Sequence, residues 1–169
     1  IFGGVGSGLY GMLMFAILAV FLAGLMVGRT PEYLGKKIGA REIKYVVLGT
    51  LVPSLVVLIA TAVAIATKYG DPSIYNAGPQ GFSETLYAYT SQANNNGSAF
   101  AGFTGMVQPD APGNAGAFGI TFANLIGGLS MLIGRFAPLI AVLAIGGSVA
   151  AKRPVAPGPG TMRTDTPTF

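Results

Sequence analysis

The chain has 169 residues, 51% of them hydrophobic and 9% charged, with a net charge of +4, no Cys and no His. Soluble domains carry about 25% charged residues, so a chain this apolar, with a mean hydropathy of +0.61, belongs in a bilayer rather than in water. The missing Cys and His exclude disulfides, zinc sites, Cys or His catalysis and a His proton shuttle.

The chain opens on an apolar, Gly-rich stretch with no initiator Met and no signal-peptide pattern, which marks it as a piece of a longer protein. Residues 9–27 then run without a charge, about 28 Å as helix, and predict a transmembrane helix over 9–28. Residues 29–44 form a polar loop, with Arg29, Lys36, Lys37, Arg41 and Lys44 against Glu32 and Glu42. A second uncharged run, 45–67, contains Pro53, which transmembrane helices tolerate because neighbours satisfy the freed carbonyl. After a turn-rich loop at 68–80, residues 81–93 predict a helix too short to span. Residues 94–98 are Asn, Gly and Ser and cannot be regular helix throughout. A loop follows over 99–117.

The third apolar run, 118–151, would be about 51 Å long as one straight helix. A tilt, an extension beyond the lipid, or a break near 127–135 is expected there, at Gly127-Gly128 and Gly134-Arg135. The tail, 152–169, is rich in Pro, Gly and Thr and is expected to be flexible.

Basic residues set the orientation. Five lie in 29–44, and Lys152 and Arg153 follow the third run. Three spans alternate sides, so these two groups share a side, and the positive-inside rule makes it cytoplasmic. The loops at 68–80 and 99–117 are then external.

The stretch from 81 to 98 carries the chemistry. A short helix dips into the membrane from outside, stops, and gives way to an irregular turn. Such backbone is tolerated at membrane depth only inside protein or along a watery path. Exposed carbonyls there can replace an ion's hydration shell, as in potassium filters. The candidate filter residues are Asn94, Asn95, Asn96, Gly97 and Ser98. Gly97 permits backbone angles other residues avoid, and the Asn amides either brace the loop or contribute oxygens. The short helix would aim its partly negative C-terminus at a cation. The competing reading is an external loop that never enters the membrane, and Asn96-Gly97-Ser98 also matches a glycosylation sequon.

Gly3, Gly4, Val5, Gly6, Ser7 and Gly8 form a second Gly-rich segment. It shares Gly-Ser-x-x-x-Gly with the filter stretch, so it reads as another filter or as small residues packing between helices. Residues 6–11 also match G-x-G-x-x-G. A nucleotide site needs a preceding strand and a soluble βαβ unit, and an uncharged span follows instead. Arg135 is the one basic residue inside an apolar run. Intramembrane Arg is costly, which leaves a fixed charge on an ion path, a structural pair (with Glu84, for example), or snorkelling to an interface.

The strings GRTPEYLGKK and NNNGSAF, within GGVGSGLYGMLMFAILAVFLAGLMVGRTPEYLGKKI and GFSETLYAYTSQANNNGSAFAG, resemble the potassium-binding A subunit of the Kdp-type potassium-transporting ATPases (KdpA). The similarity runs from about Ile1 to Arg153. It implies an all-α integral membrane fold of membrane–pore-loop–membrane repeats, as in potassium channels and transporters. This chain would supply the end of repeat three and repeat four, lacking a final span. Residues 94–98 would be one quarter of a K+ filter, and Gly3–Gly8 the intramembrane gating loop beneath it. Arg135, in the family's GRF context, would be a pathway charge. The resemblance further implies a multi-pass protein of the bacterial cytoplasmic membrane with K+ as the transported ion and no ATP bound by this chain. Its partners would be a P-type ATPase catalytic subunit (KdpB) and small accessory subunits (KdpC and KdpF), with no nucleic acid. The loop at 104–117 is longer than the family pattern. Two rival readings are a Trk/Ktr-type potassium transporter, which needs no ATPase subunit, and a non-transporting membrane scaffold.

Overall fold

The computed structural model describes residues 8–67, 69–104, 122–156, 158–162 and 164. Among them, three helices are long and apolar enough to cross a membrane: α1 (Gly8–Val27), α2 (Ala40–Ala66) and α4 (Phe122–Ala150). A shorter helix, α3 (Pro79–Ala93), lies between α2 and α4. At 20, 27 and 29 residues, the long helices are about 30, 40 and 43 Å. They leave Leu9, Met26, Leu55, Ile59, Leu125, Ile140 and Leu143 exposed. A water-soluble surface would not carry so much apolar area, whereas hydrocarbon accepts it. This is a helical membrane protein.

Two of the expectations change. The third span is unbroken from Phe122 to Ala150, with Pro138 inside it. Gly127 and Gly134 serve close packing, as small residues do between membrane helices, and do not break the helix. A Cβ on Gly127 would stand 2.6 Å from the Gln92 carboxamide oxygen, and one on Gly134 only 1.8 Å from the Ala93 carbonyl. The tail also has regular structure: β3 (Thr161–Met162) adds to a small sheet. An unpaired strand edge is a template for another strand, and the tail meets one.

The chain forms two compact units, one of Ile1–Leu51 with Ala137–Phe169, the other of Val52–Phe136. The first holds most of the basic residues and is called the basic unit here. Met14, Ile17, Ile38, Val46, Ala141 and Ile145 form its core. Its polar loop folds as a hairpin of β1 (Thr30–Tyr33) and β2 (Lys36–Lys37), with Glu32 opposite Lys37 and Tyr33 opposite Lys36. Leu34 and Gly35 connect them at φ 50° and 72°, a two-residue turn with both φ positive. β3 lies parallel to β1 on its other edge.

The start of α2 and the end of α4 are tied to this platform. Glu42 is fully buried, accepts from the Gly39 N–H at 2.8 Å and from the Ser148 hydroxyl, and pairs with Lys152 at 2.6 Å. Its contact with Gly39 is half of a capping box, an acidic side chain in the first turn reaching back to the residue before the helix. Lys152 also donates to the Lys37 carbonyl. Lys36 donates to the carbonyls of Val149 and Ala150, which α4 leaves unsatisfied at its end.

The second unit is called the hairpin unit. Its core is Ala60, Ala64 and Tyr89, with Phe122 and Ile126 packed against it.

Candidate functional site

α3 begins two residues earlier than the sequence suggests, with Pro79 in the first turn, where its missing N–H is no loss. Its 15 residues reach about 22 Å, short of a hydrocarbon core of about 30 Å. The helix stops in a defined way. Asn95 is left-handed at φ 57°. Its N–H donates to the Gln92 carbonyl and the Asn96 N–H to the Ser91 carbonyl, both at 2.9 Å. This is a Schellman cap with Asn in the place usually taken by Gly. It turns the chain back on itself, and Gly97, at φ 90°, completes the reversal at an angle L side chains resist.

The chain then returns along α3. The Ser98 N–H donates to Asn96 Oδ1 at 3.1 Å, and its hydroxyl meets those of Tyr87 at 2.9 Å and Ser91 at 3.3 Å. Phe100 stacks on Tyr87 at 4.5 Å, and Phe103 meets Tyr89 edge-on at 6.4 Å. Between them, Gly102 lies over Glu84 so closely that a Cβ would strike its carboxylate. At the far end, the Tyr75 N–H donates to the Gly102 carbonyl and the Thr104 N–H to the Ser73 carbonyl, each at 2.8 Å. Ile74 bridges Phe103. The inbound segment at 73–75 and the outbound one at 102–104 are therefore paired, with residues 94–98 at the opposite end of α3. The arrangement is a helix–turn–strand hairpin that starts and finishes in one place.

Of the three Asn amides, all brace the turn. Asn94 donates to the Thr90 carbonyl at 2.8 Å, Asn95 to the Met131 carbonyl on α4 at 3.2 Å, and Asn96 accepts from Ser98. Asn96, Gly97 and Ser98 are exposed. Main-chain oxygens of an exposed turn, beside the negative end of a helix, suit a dehydrated monovalent cation.

Residues 1–169 match the family described as the potassium-transporting ATPase A subunit, KdpA. The chain belongs to this family. Over all 169 of its residues it is 54% identical to the potassium-transporting ATPase potassium-binding subunit of Sorangium cellulosum (strain So ce56). It is 56% identical over the same length to that of Paracidovorax citrulli (strain AAC00-1), and 54% to that of Klebsiella pneumoniae (strain 342). The chain spans 26–28% of the length of these relatives.

In this KdpA-family chain the other sequence candidates fall as follows. Arg135 is exposed and directly follows Gly134, where α4 passes the end of α3. Gly8 is the first residue of α1, while Gly3, Gly4, Val5, Gly6 and Ser7 lie outside the described residues. Sequence reading missed Tyr87, Ser91 and Asn76, and named Glu84 only as a possible pair for Arg135. Glu84 is 1% exposed and accepts from Asn76 Nδ2 at 2.5 Å, joining the inbound segment to α3. It had a signal: it is the only charged residue between Asp71 and Asp110.

Proposed function

We propose that this chain is part of the potassium-binding subunit of an ATP-driven potassium importer, and that residues 94–98 form one quarter of its selectivity filter. One observation carries the reading. The segment 73–104 leaves from where it began, and its exposed turn sits at the C-terminal end of a helix too short to span. Family membership favours this over a Trk/Ktr transporter or a scaffold, because the matched relatives are named as potassium-binding subunits of a potassium-transporting ATPase.

The finer parts follow from the same reading. The fold is a set of membrane–pore-loop–membrane repeats, and this chain gives the end of the third and the fourth. The basic unit faces the cytoplasm, and the hairpin opens to the outside of a bacterial cytoplasmic membrane. Gly3–Gly8 acts as the gating loop, and Arg135 sets a positive charge along the ion path. ATP hydrolysis belongs to a separate P-type subunit (KdpB), with small accessory subunits (KdpC and KdpF) completing the complex.

The test is Gly97→Asp in the full-length subunit within its pump. At φ 90° the substitution strains the turn and adds a carboxylate to it. Potassium-stimulated ATP hydrolysis should need far more potassium. A wild-type potassium dependence in the assembled complex refutes the filter.

A further inference from the structure

We propose that Tyr87 and Ser91 are positioning residues for ion selection. Their hydroxyls clamp Ser98 and so fix the spacing of the carbonyls in the turn. The inference rests on the filter reading above and adds to it the groups that hold the filter in register.

Tyr87 and Ser91 are four residues apart, hence on one face of α3, the face along which the chain returns. Ser91 is 6% exposed. The Tyr87 ring is held flat against Phe100 at 24°, so its hydroxyl has little freedom to wander. Ser98 lies between the two hydroxyls, 2.9 Å from one and 3.3 Å from the other. Ser91 in turn reaches Asn96 Oδ1 at 3.5 Å, the oxygen that accepts the Ser98 N–H.

Each hydroxyl has one proton to donate. Only one direction satisfies every contact with Asn96 Oδ1 as final acceptor: Tyr87 donates to Ser98, Ser98 to Ser91, and Ser91 to Asn96. Ser98, Ser91 and Asn96 then close a ring through the Ser98 N–H, and Tyr87 anchors it to the helix.

That ring matters because the cap and the amides of Asn94 and Asn95 hold the start of the turn, while Gly97 and Ser98 depend on the hydroxyls. Gly97 contributes no side chain and, with a Cβ built on it, would meet nothing within 4 Å. A filter discriminates between ions through the number, spacing and stiffness of its carbonyls. A turn free to breathe accepts a wider range of ion sizes. Hydroxyls that only supported folding would alter the yield or stability of the protein and leave the order of ions alone.

The experiment uses the complete pump and follows ATP hydrolysis against potassium and against rubidium. The variants are Tyr87→Phe, Ser91→Ala, Ser98→Ala and the Tyr87→Phe/Ser98→Ala pair. Losing one such hydrogen bond should raise the half-saturating potassium concentration about five- to tenfold and lower the preference for potassium over rubidium. The pair should be no worse than Ser98→Ala alone, because both changes remove the same contact. The proposal is overturned if Tyr87→Phe and Ser91→Ala keep wild-type half-saturation, or if potassium and rubidium shift equally. Should Tyr87→Phe fail to assemble, Ser98→Ala on the exposed turn decides by the same ratio. Gly97→Asp runs alongside. If it is impaired while the hydroxyl variants are wild type, the clamp alone falls; if it too is wild type, the filter reading falls with it.

Discussion

In the basic unit, the buried carboxylate of Glu42 has a partner for each oxygen: Ser148 on one, Gly39 and Lys152 on the other. In the hairpin unit, Thr61, Ser73, Glu84 and Gln92 each bury a side-chain oxygen with no hydrogen-bond partner among the described residues. Buried polar groups are nearly always satisfied in finished structures. Among the described residues, then, the buried carboxylate of the basic unit is satisfied internally, while the hairpin unit keeps four buried oxygens without a partner. Ordered water or further protein would supply such partners.

The sharpest way to break that comparison is at Gly134. There α4 meets main chain, the Ala93 carbonyl, and main chain cannot swing aside. Gly134→Val should therefore cost about 3 kcal/mol or more through overpacking and displace the end of α3. Gly128, on the same helix, would place a Cβ within 4 Å of nothing. Gly128→Val should stay within about 1 kcal/mol of wild type. Thermal stability in detergent and potassium-stimulated hydrolysis of the pump both report the difference. Equal tolerance of the two changes would mean that α4 does not seat the hairpin.

The basic unit should fail differently. Lys152→Met strands the Glu42 carboxylate, which is fully buried. Breaking such a pair costs about 3–5 kcal/mol when both partners are buried. Lys152 is 31% exposed, so about 2–3 kcal/mol is expected after solvent screening. Adding Glu42→Gln should recover most of the loss, because the stranded charge disappears with it. Neither change should alter the preference for potassium over rubidium. A shift in that ratio would join two units that the comparison holds separate.

The two units were also unequally legible in the sequence. Long uncharged runs pointed to three spans, because helices that cross lipid must be long and apolar, but they could not show that α2 starts at Ala40 and takes in Arg41, Glu42 and Lys44 from the polar loop. The turn at 94–98 was visible because a stretch of Asn, Gly and Ser cannot continue a helix. What holds that turn was not visible. Tyr87 and Ser98 are eleven positions apart, and Asn95 meets Met131 across thirty-six, so no local pattern links them. The length of the third run allowed a break, a tilt or an extension beyond the lipid; the helix is unbroken, and Gly127 and Gly134 each answer a neighbour's side chain or backbone. The tail's Pro and Gly suggested flexibility, and composition could not reveal the strand edge waiting at Thr30 and Pro31.

The smallest effect is expected at the tip of the basic hairpin, and it is the one favourable change. Leu34 is 77% exposed and sits at φ 50°, a region that costs a non-Gly residue roughly 1–2 kcal/mol. Its position is the first of a two-residue turn whose second residue is already Gly35, and Asn-Gly is the preferred pair for that geometry. Leu34→Asn keeps the turn and relieves the strain, so the isolated subunit should gain about 0.5–1 kcal/mol, read as a modest rise in melting temperature. The contrast with Asn95 sharpens the point. In the hairpin unit an Asn already occupies the left-handed position, at φ 57°, and its side chain is used to hold α4. In the basic unit that position carries a Leu, which the sheet does not need. If Leu34→Asn stabilises the isolated subunit but lowers the stability of the assembled pump, the Leu34 side chain makes a contact in the assembly.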